Sequence, residues 1–393
     1  MSALKGLRVL DLTVTLPGPY CTQLLADFGA EVIKIENPDG GDWFRHEQPA
    51  IKGMGIRFLD LNRNKKSLAL NLKSPQGKEI FFALAKNSAV IVEGFRPGVV
   101  ERLGIDYLRV KEVNPEVVYC SISGYGQDGP YRLLAGHDLN YMGYSGILDT
   151  GGYEDRPPVL PSMFIADYSA GGLMAAVGIL LGLAAVPHTG KGQLVDISMF
   201  DGVVGLQHAA LAEYLSTGSP PKRGIFWAAG NIPCYSVYET KDGRAITLGP
   251  LEPHFWANLC RALGREDFVE HQWTEGEKRE EIYAFLREAF CRKTRDEWVA
   301  FFQGQDVCLG PVNDIRETLE DPQVRHRQMV VDVEHPQAGV LKQLGIPIKL
   351  SETPGRISAP APSLGQHTEE ILRDLGYSGE VLAELRRQKV IPS

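Results

Sequence analysis

The amino-acid sequence predicts an α/β protein with a parallel sheet and a second, smaller α+β unit inserted near residues 225–320. Two successive alternations of strand, helix and strand in the first third of the chain predict the parallel sheet. The run STGSPPKR at residues 216–223 predicts a boundary, and the hairpin pattern that follows it predicts the second unit.

The first alternation occupies residues 7–36. β-Branched and apolar residues predict strands over residues 7–12 and Glu31–Glu36. Between them, TLPGPY predicts a turn, and the spacing of apolar residues predicts a helix over residues 21–28 that Gly29 ends. Since parallel strands need such a crossover, the segment predicts a βαβ unit.

The second alternation and the remaining segments follow from the same patterns. Strands are predicted over residues 67–72, 89–94 and 117–123, with a helix over 75–86. Beyond them, the sequence predicts a loop with short helices over 130–163, a strand and helix over 194–214, a hairpin around Asp242 and Gly243, charged helices over 252–303, a Pro-rich extended stretch over 311–362, and two amphipathic helices over 368–375 and 378–389.

The composition is that of a soluble globular chain, with 393 residues, 44% of them hydrophobic, and a formal net charge of −8. The acidic excess argues against nucleic-acid binding, which needs a basic face to displace counterions, although a few local cations can still bind an anionic ligand. The six cysteines form no CxxC pair, and the amino terminus lacks the apolar run of a signal peptide. We therefore expect a cytoplasmic protein.

One apolar stretch raises the question of a membrane. Residues 170–186 contain no polar side chain, and their number is at the lower limit for a membrane span. The stretch is rich in Gly and Ala, stands alone in the chain and follows an acidic residue. We therefore expect a buried helix of a soluble protein and no membrane.

None of three motifs that bind nucleotides or metals is present in the sequence in the form that binding requires. The sequence GYGQDGP at residues 124–130 satisfies GxGxxG after a strand, but its proline and Gly136 interrupt the helix that should hold a pyrophosphate, so a tight loop is predicted. HTGKGQ around Gly190 lacks the residues of a phosphate loop. The nine histidines include no HExxH motif, so neither NAD nor a metal is expected.

Three polar residues are candidates for acid–base chemistry, and each has a structural alternative. His137 lies in the Gly-bounded loop AGHDLNY, where its ring either reaches a cleft or serves the loop alone. Asp167 precedes the apolar helix, so it is either a helix cap or a base that the helix N-terminus keeps ionised, and the two roles are compatible. Glu252 precedes Pro253, and a helix-start preference explains it equally well.

The chain resembles the family III CoA-transferases, the CaiB/BaiF group, over nearly its whole length. The matching segments are LKGLRVLDLT, PGPYCTQLLADFGAEVIKIE, NRNKKSLALNLKSP, EGFRPGVVERLG, SGYGQDGPY, TGKGQLVDISMFDG and HTEEILRDLGYS. The resemblance implies the fold of that family, with a Rossmann-like large CoA-binding domain over residues 1–220 and 321–393 and a small α+β domain over 221–320. It also implies an interlocked homodimer.

Within this family, AGHDLNY, IADYSAGG and GPLEPHFW look like the α-methylacyl-CoA racemase branch, whose catalytic residues fall on His137, Asp167 and Glu252. The implied reaction inverts the α-carbon of a 2-methylacyl-CoA, a thioester of fatty acid metabolism, by moving protons on its two faces. Asp167, sharing a proton with Glu252, would then be a stronger base than an ordinary carboxylate. No cofactor beyond the CoA moiety of the acyl-CoA substrate is expected.

The resemblance also implies the contacts to CoA. They fall on Ala69, Leu70, Asn71, Leu72, Phe95, Arg96, Arg102, Gly136, Asp138 and Tyr141. Arginine is a chemically sensible phosphate partner, and a solvated surface position is the alternative for both arginines. Family members often carry Arg just after the second strand, where this chain has Asn37.

Two other functions stay open at the level of the sequence. In a CoA-transferase, the Asp167 carboxylate would attack the acyl-CoA carbonyl to form a mixed anhydride and then an enzyme thioester. The transferase branch generally lacks the histidine of AGHDLNY, which favours the racemase, whereas the segments at residues 40–64 and 328–354 look more like transferase members. A CoA-binding regulator would have kept the fold without catalysis.

Overall fold

The computed structural model describes residues 2–224, 226–230 and 232–392. Within them the chain forms two compact units. The large unit contains residues 2–145, Ser162–Leu206 and 323–392, and the small unit contains Gly146–Pro161 and Gln207–Pro322. Residues 146–161 and 207–220, which the predicted division assigned to the large domain, pack within the small unit.

The described strands are β1 Arg8–Leu12, β2 Glu31–Glu36, β3 Ala50–Ile51, β4 Met54–Gly55, β5 Lys65–Ala69, β6 Val90–Glu93, β7 Val118–Ser123, β8 Leu194–Ser198, β9 Ser236–Glu239, β10 Ala245–Leu248, β11 Leu309–Pro311, β12 Val330–His335 and β13 Gly339–Leu344.

The described α-helices are α1 Pro17–Asp27, α2 Ile56–Leu61, α3 Pro75–Ala85, α4 Val99–Leu103, α5 Tyr107–Val113, α6 Asp138–Ser145, α7 Ile147–Thr150, α8 Met174–Thr189, α9 Met199–Leu206, α10 His208–Thr217, α11 Pro253–Ala262, α12 Gly276–Phe290, α13 Arg295–Phe302, α14 Ile315–Glu320, α15 Pro322–His326, α16 Thr368–Asp374 and α17 Gly379–Arg387. Short 3₁₀ turns cover Trp43–Arg45, Trp227–Ala229 and Glu266–His271, and a π-helical segment covers Ala166–Leu173.

A six-stranded sheet forms the centre of the large unit, in the order β5-β2-β1-β6-β7-β8. Every neighbouring pair in it is parallel, which confirms the predicted parallel sheet. Strands β2 and β5 are added on one side of β1. Strands β6, β7 and β8, which come later in the sequence, are added on the other side of β1. This doubly wound order is Rossmann-like, and its switch point lies between β1 and β6, where such sheets bind ligands.

Both faces of this sheet are covered, so its central strands are mostly apolar. Leu10, Ile91 and Tyr119 are at most 1% exposed, and they belong to one core cluster. The last two helices, α16 and α17, add Leu372 and Leu382 to that cluster. The two predicted C-terminal helices are therefore confirmed, and they form part of the core that begins with β1.

Helix α1 begins earlier than predicted. Its first residue is Pro17, whereas the sequence pattern predicted a turn up to residue 20 and a helix from residue 21. A proline is tolerated in the first helical turn because the amide it lacks would have no acceptor there. The TLPGPY segment is therefore mostly the first turn of the helix.

Six charged side chains, three acidic and three basic, lie beneath the loop that follows β1: Asp11, Lys34, Glu36, Asp42 and Lys65 are buried, and Arg45 is partly buried. Their ion pairs join Lys65 to Asp11 at 3.1 Å, Lys34 to Asp42 at 3.0 Å and Arg45 to Glu36 at 2.7 Å. Burial raises the pKa of Asp11, but the ammonium groups of Lys65 and Lys34 outweigh it and hold that pKa well below its usual range. The carboxylate of Asp11 therefore stays ionised inside the protein.

This buried ion network fixes the backbone after β1. The Asp11 carboxylate accepts hydrogen bonds from the amide and the hydroxyl of Thr13, at 2.9 and 2.5 Å. Lys34 Nζ donates to the Thr13 carbonyl at 2.7 Å, and Asp42 accepts from the Thr15 amide at 3.3 Å. Thr15 has a φ of 65°, a strained conformation for a β-branched residue, which these contacts stabilise.

The small unit has its own antiparallel sheet, in the order β11-β10-β9. Strands β9 and β10 form the predicted hairpin, and Gly243 in its turn has a φ of 71°. Helices α11, α12 and α13 pack on the sheet through a core that includes Trp256, Phe290 and Trp298. Sheet and helices together give the predicted α+β architecture.

The stretch over 311–362 is not extended throughout, as the sequence had predicted. It contains α14 and α15 before the antiparallel ribbon β12–β13. Asp314 and Glu317 form a capping box, in which each side chain accepts a hydrogen bond from the backbone of the other residue. This D-x-x-E pattern is a known helix-start signature that outweighs the neighbouring prolines.

The apolar helix is buried on only one face. The π-helical segment continues into α8, and together they form a helix of 24 residues that is long and apolar enough to cross a membrane. Only 39% of its most apolar window is buried. Ala175 and Ile179 face the core, whereas Val177 and Leu181 are 51% and 67% exposed, so the expected burial of this helix holds for one face only in the single chain.

The buried ion network generates a stability prediction. Asp11→Asn keeps the side-chain shape but leaves the buried ammonium group of Lys65 without its counter-charge, so we expect the free energy of unfolding to fall by about 3–5 kcal/mol. Glu31→Gln is the matched control because its pairs with Arg8 and Lys66 are about one-third exposed, and it should cost less than about 1 kcal/mol. Urea unfolding followed by far-UV circular dichroism measures both. Equal losses in the two variants would contradict the prediction.

Candidate active site

A pocket lies at the switch point of the six-stranded sheet, beyond the carboxyl ends of β1, β6 and β7. Its walls are residues 13–15 after β1, residues 94–97 after β6 and residues 122–125 at the end of β7. His137 and Asp167 both line it. Its volume is about 230 Å³, below the 300–1,000 Å³ or so of a site that encloses a whole ligand, so it suits the reacting end of a larger molecule.

A larger cleft of about 440 Å³ lies beside β12 and β13. Its charged lining residues, Asp332, Glu334 and Lys349, are all exposed to solvent. Water screens the charges of such exposed groups, so they lack the buried surroundings in which acid–base groups are usually tuned. The pocket at the switch point is therefore the better candidate for chemistry.

His137 is the residue before α6, and its backbone is held by reciprocal hydrogen bonds with Asn140. The His137 amide donates to Asn140 Oδ1 at 3.0 Å, and the Asn140 amide donates to the His137 carbonyl at 2.8 Å. This is the arrangement of a helix cap, which fixes the direction of the chain at the start of the helix. The imidazole itself is exposed and faces the pocket.

Two glycines allow the loop before His137 to pack closely on Tyr141. The hydroxyl of Tyr141 donates to the Gly136 carbonyl at 2.6 Å, which closes the loop around the tyrosine ring. A Cβ atom at Gly124 would lie 2.6 Å from that ring, and one at Gly136 would lie 2.7 Å from it. Between β7 and α6 the described chain forms a loop without a helix, which confirms the interpretation of GYGQDGP as a loop.

Asp167 lies in the π-helical segment, one residue after its start, and is partly buried in the pocket wall. Burial, and then the negative charge of Asp138, raises the pKa of Asp167 to about 7. A carboxyl group with this pKa is half-protonated near neutral pH and can both take and give a proton. π-Helical turns within longer helices occur frequently at functional sites.

Asp138 links the two candidate catalytic residues. It directly follows His137, and its buried carboxylate accepts hydrogen bonds from the backbone amides of Ala166 at 2.6 Å and Asp167 at 3.1 Å. The sequence predicted Asp138 as a CoA contact, but the pocket lining does not include it. Its side chain faces the backbone of the π-helical segment.

The double glycine of IADYSAGG lets the π-helical segment approach α1. A Cβ atom at Gly171 would lie 2.8 Å from the Cβ atom of Pro17, and one at Gly172 would lie 2.8 Å from the ring of Tyr20. Larger residues would push the segment away from α1 and move Asp167 with it. Tyr168 adds an edge-on ring contact to Tyr20 at 5.0 Å between centroids.

Phe95 and Arg96 form the pocket wall after β6. The buried carboxylate of Glu93 accepts a hydrogen bond from the Phe95 amide at 2.8 Å and holds this turn in place. Arg96 is exposed at the pocket. Arg132, which sequence reasoning missed because it lies within a predicted loop, lines the same pocket. Neither arginine forms an ion pair within the described residues, so both are available to an anionic ligand.

The other predicted CoA contacts lie outside this pocket. Ala69 and Leu70 are at most 1% exposed, and their amides are already bonded to Thr368 Oγ1 and to the Glu36 carbonyl. Asn71 and Leu72 are partly buried at the end of β5, and Arg102 is exposed on α4. The structure therefore groups Phe95, Arg96, Gly136 and Tyr141 with the candidate catalytic pair but not these five residues.

Glu252 belongs to the small unit. It precedes Pro253 at the start of α11, and its side chain makes no capping hydrogen bond there. Burial, and then the charge of Glu252, raises the pKa of the Cys308 thiol in the same unit. Glu252 is thus a helix-start residue whose carboxylate is not used by its own helix.

Comparison with known proteins agrees with this architecture. A family model described as CoA-transferase family III matches residues 4–368. A crystal structure of a CAIB/BAIF family protein from Brucella suis superposes with a TM-score of 0.82 and 30% sequence identity, over 95% of this chain and 99% of that one.

Curated relatives of two kinds are about equally similar to this chain. Human succinyl-CoA:glutarate CoA-transferase is 35% identical over 99% of this chain and 90% of its own length. Human alpha-methylacyl-CoA racemase is 34% identical over 100% of this chain and 98% of its own length. Family model, fold and relatives agree, and this chain belongs to CoA-transferase family III.

Proposed function

We propose that the protein is a racemase that inverts the α-carbon of 2-methylacyl-CoA thioesters. The observation that carries this proposal is the pairing of His137 with Asp167 in one pocket, where the pKa of Asp167 is raised to about 7. Inversion needs two groups at one carbon, one to remove a proton and one to deliver a proton to the opposite face. An imidazole and a carboxyl with a neutral pKa can exchange these roles.

The reaction balances without a redox step. One of the pair removes the α-proton, the C–H electrons move into an enolate, and the other member gives its own proton to the opposite face. The enzyme is left with its two protonation states exchanged, ready for the reverse reaction.

The enolate oxygen needs hydrogen-bond donors, and the amides of Asp138 and Leu139 at the start of α6 would supply them next to His137. The next two amides of this helix already donate to the His137 carbonyl. The first-turn amides of a helix have no acceptor within the helix, and they carry the positive end of its dipole. Donors fixed in advance of the reaction stabilise developing negative charge strongly. For the phosphates of CoA, Arg96 and Arg132 at the pocket, together with Arg102 on α4, are suitable partners.

A CoA-transferase is the second candidate, because a relative with that activity is as similar to this chain as the racemase relative is. Asp167 would attack the thioester carbonyl, releasing CoA thiolate and leaving an aspartyl anhydride. The thiolate would then attack the aspartyl carbonyl and release the free acid. A second acid would finally take the CoA by the same steps in reverse.

We further propose that the protein works as a homodimer in the cytoplasm. The exposed face of the apolar helix supports this, since Val177, Leu180 and Leu181 are 51%, 44% and 67% exposed in the single chain. Covering such a stripe with a second copy would remove apolar surface from water.

Replacement of His137 separates the two reactions. Wild-type protein incubated with one enantiomer of a 2-methylacyl-CoA in deuterated water, without free acid, is expected to incorporate α-deuterium and lose chirality. His137→Ala should reduce this exchange by about 100-fold or more, because general acid–base catalysis contributes that much. NMR and chiral chromatography of the acyl group measure both events. If wild-type protein shows no exchange but moves CoA to an added carboxylate, the racemase proposal is wrong.

The pH profile gives an independent test. Inversion needs one member of the pair protonated and the other not, so kcat/KM should follow a bell-shaped curve with a limb near pH 7 from Asp167. A nucleophilic aspartate needs only ionisation, which is lost as the pH falls below about 7, so transfer should rise through pH 7 and then stay level. Initial rates across this range distinguish the two. A flat profile near pH 7 would contradict both.

The homodimer is tested by solution mass. Light scattering coupled to size-exclusion chromatography should give twice the 43.3 kDa of one chain for the wild type. Leu181→Asp introduces a charge into the apolar stripe and is expected to shift the mass towards one chain. Leu108→Asp, at a leucine that is 71% exposed on α5, is the matched control and should leave the mass unchanged. A single-chain mass for the wild type would overturn the dimer.

A further inference from the structure

Asp138 has a geometry that neither the sequence nor the proposed reaction requires. Its carboxylate is 5% exposed and accepts the amides of Ala166 and Asp167 at 2.6 and 3.1 Å, although 28 and 29 residues separate them along the chain. The same residue begins α6 directly after His137. One buried side chain therefore joins the backbone that carries the histidine to the backbone that carries the aspartate.

We infer that Asp138 is a positioning residue, which sets the separation of His137 and Asp167 through its two hydrogen bonds and acts on Asp167 through its negative charge. The hydrogen bonds fix where the π-helical segment begins relative to α6. The charge lies beside a partly buried carboxyl, where like charges repel more strongly than in water. This inference rests on the proposed function for its catalytic consequence but not for its effect on Asp167.

The electrostatic effect has a definite sign. A neighbouring negative charge disfavours the ionised carboxylate, so it keeps Asp167 protonated up to a higher pH. The titratable and charged groups on the elements packed against the π-helical segment include His137 and Tyr141 at α6, Tyr20 and Asp27 on α1, His188 on α8, Asp196 on β8, Asp201 on α9 and Tyr168 on the segment itself, and Arg96 lies at the same pocket. Burial is the larger cause of the raised pKa of Asp167. The second cause is a charge, that of Asp138 and not of any of these groups.

Two variants separate the hydrogen bonds from the charge. Asp138→Asn keeps an acceptor oxygen for the two amides but removes the charge, whereas Asp138→Ala removes both. We expect the acid limb of the pH profile of Asp138→Asn to move to lower pH by about half a pH unit or more, with kcat at the optimum nearly retained. Asp138→Ala should lose about ten-fold or more in kcat, because two hydrogen bonds that place Asp167 are gone.

The dissociation constant for CoA, measured by calorimetry, distinguishes positioning from binding. We expect it to stay within about two-fold of wild type in both variants, because the Asp138 side chain does not line the pocket. A large rise in the CoA dissociation constant with kcat unchanged would make Asp138 a ligand contact and overturn the inference. Asp106→Asn, at the N-cap of α5, is the control that removes a helix-capping charge elsewhere in the large unit, and its pH profile should match wild type.

A measurement without turnover keeps this inference independent of the proposed reaction. In protein labelled with ¹³C at the aspartate carboxyl carbons, the Asp167 signal is identified by its absence in Asp167→Asn. Its titration midpoint should be lower in Asp138→Asn than in wild type, even if the protein proves to be a transferase. An unchanged midpoint would overturn the electrostatic part of the inference. If the titration midpoint of Asp167 is lowered in Asp138→Asn but the wild-type protein shows no α-proton exchange, only the racemase proposal is overturned.

Discussion

The site depends on the buried ion network beneath the loop after β1. Isolated charges in a protein interior are costly, and three acidic and three basic side chains offset one another there. Asp11, Lys34 and Asp42 use their remaining hydrogen-bonding capacity on the backbone of Thr13 and Thr15. Thr13 and Thr15 form one wall of the pocket. The ion network thus holds one wall of the pocket in a fixed position relative to the sheet.

The strand order determines where the other walls lie. The chain continues from β1 towards one edge of the sheet and from β6 towards the other edge. The segments that follow these two strands therefore diverge and leave a crevice between them. Buried carboxylates recur at this crevice in a similar role: Asp11 holds the amide of Thr13, Glu93 that of Phe95, and Asp138 that of Asp167. Each carboxylate binds backbone, so the pocket is shaped by main-chain positions that do not depend on flexible side chains.

Much of the large unit could be predicted because its signals are local. β-Branched runs predict the strands, and Glu31–Glu36 has the same bounds in the sequence pattern and the structure. Two features could not be read in this way. Asp138 bonds to amides 28 and 29 residues away, and no local pattern reports such a contact. The exposure of Leu181 depends on which face of an apolar helix the rest of the chain covers. Conversely, D-x-x-E at Asp314 was a readable helix signal that the prolines obscured.

The raised pKa of Asp167 is compatible with both of the proposed reactions. Burial beside Asp138 makes this carboxyl a stronger base than an ordinary aspartate, which aids removal of a proton. The same destabilisation of its ionised form makes it a better nucleophile towards a thioester carbonyl. Asp167 therefore cannot decide between inversion and transfer. In the proposed reactions the deciding group is His137, which lines the same pocket: its imidazole would return a proton to the α-carbon, whereas the transfer of CoA has no need of one.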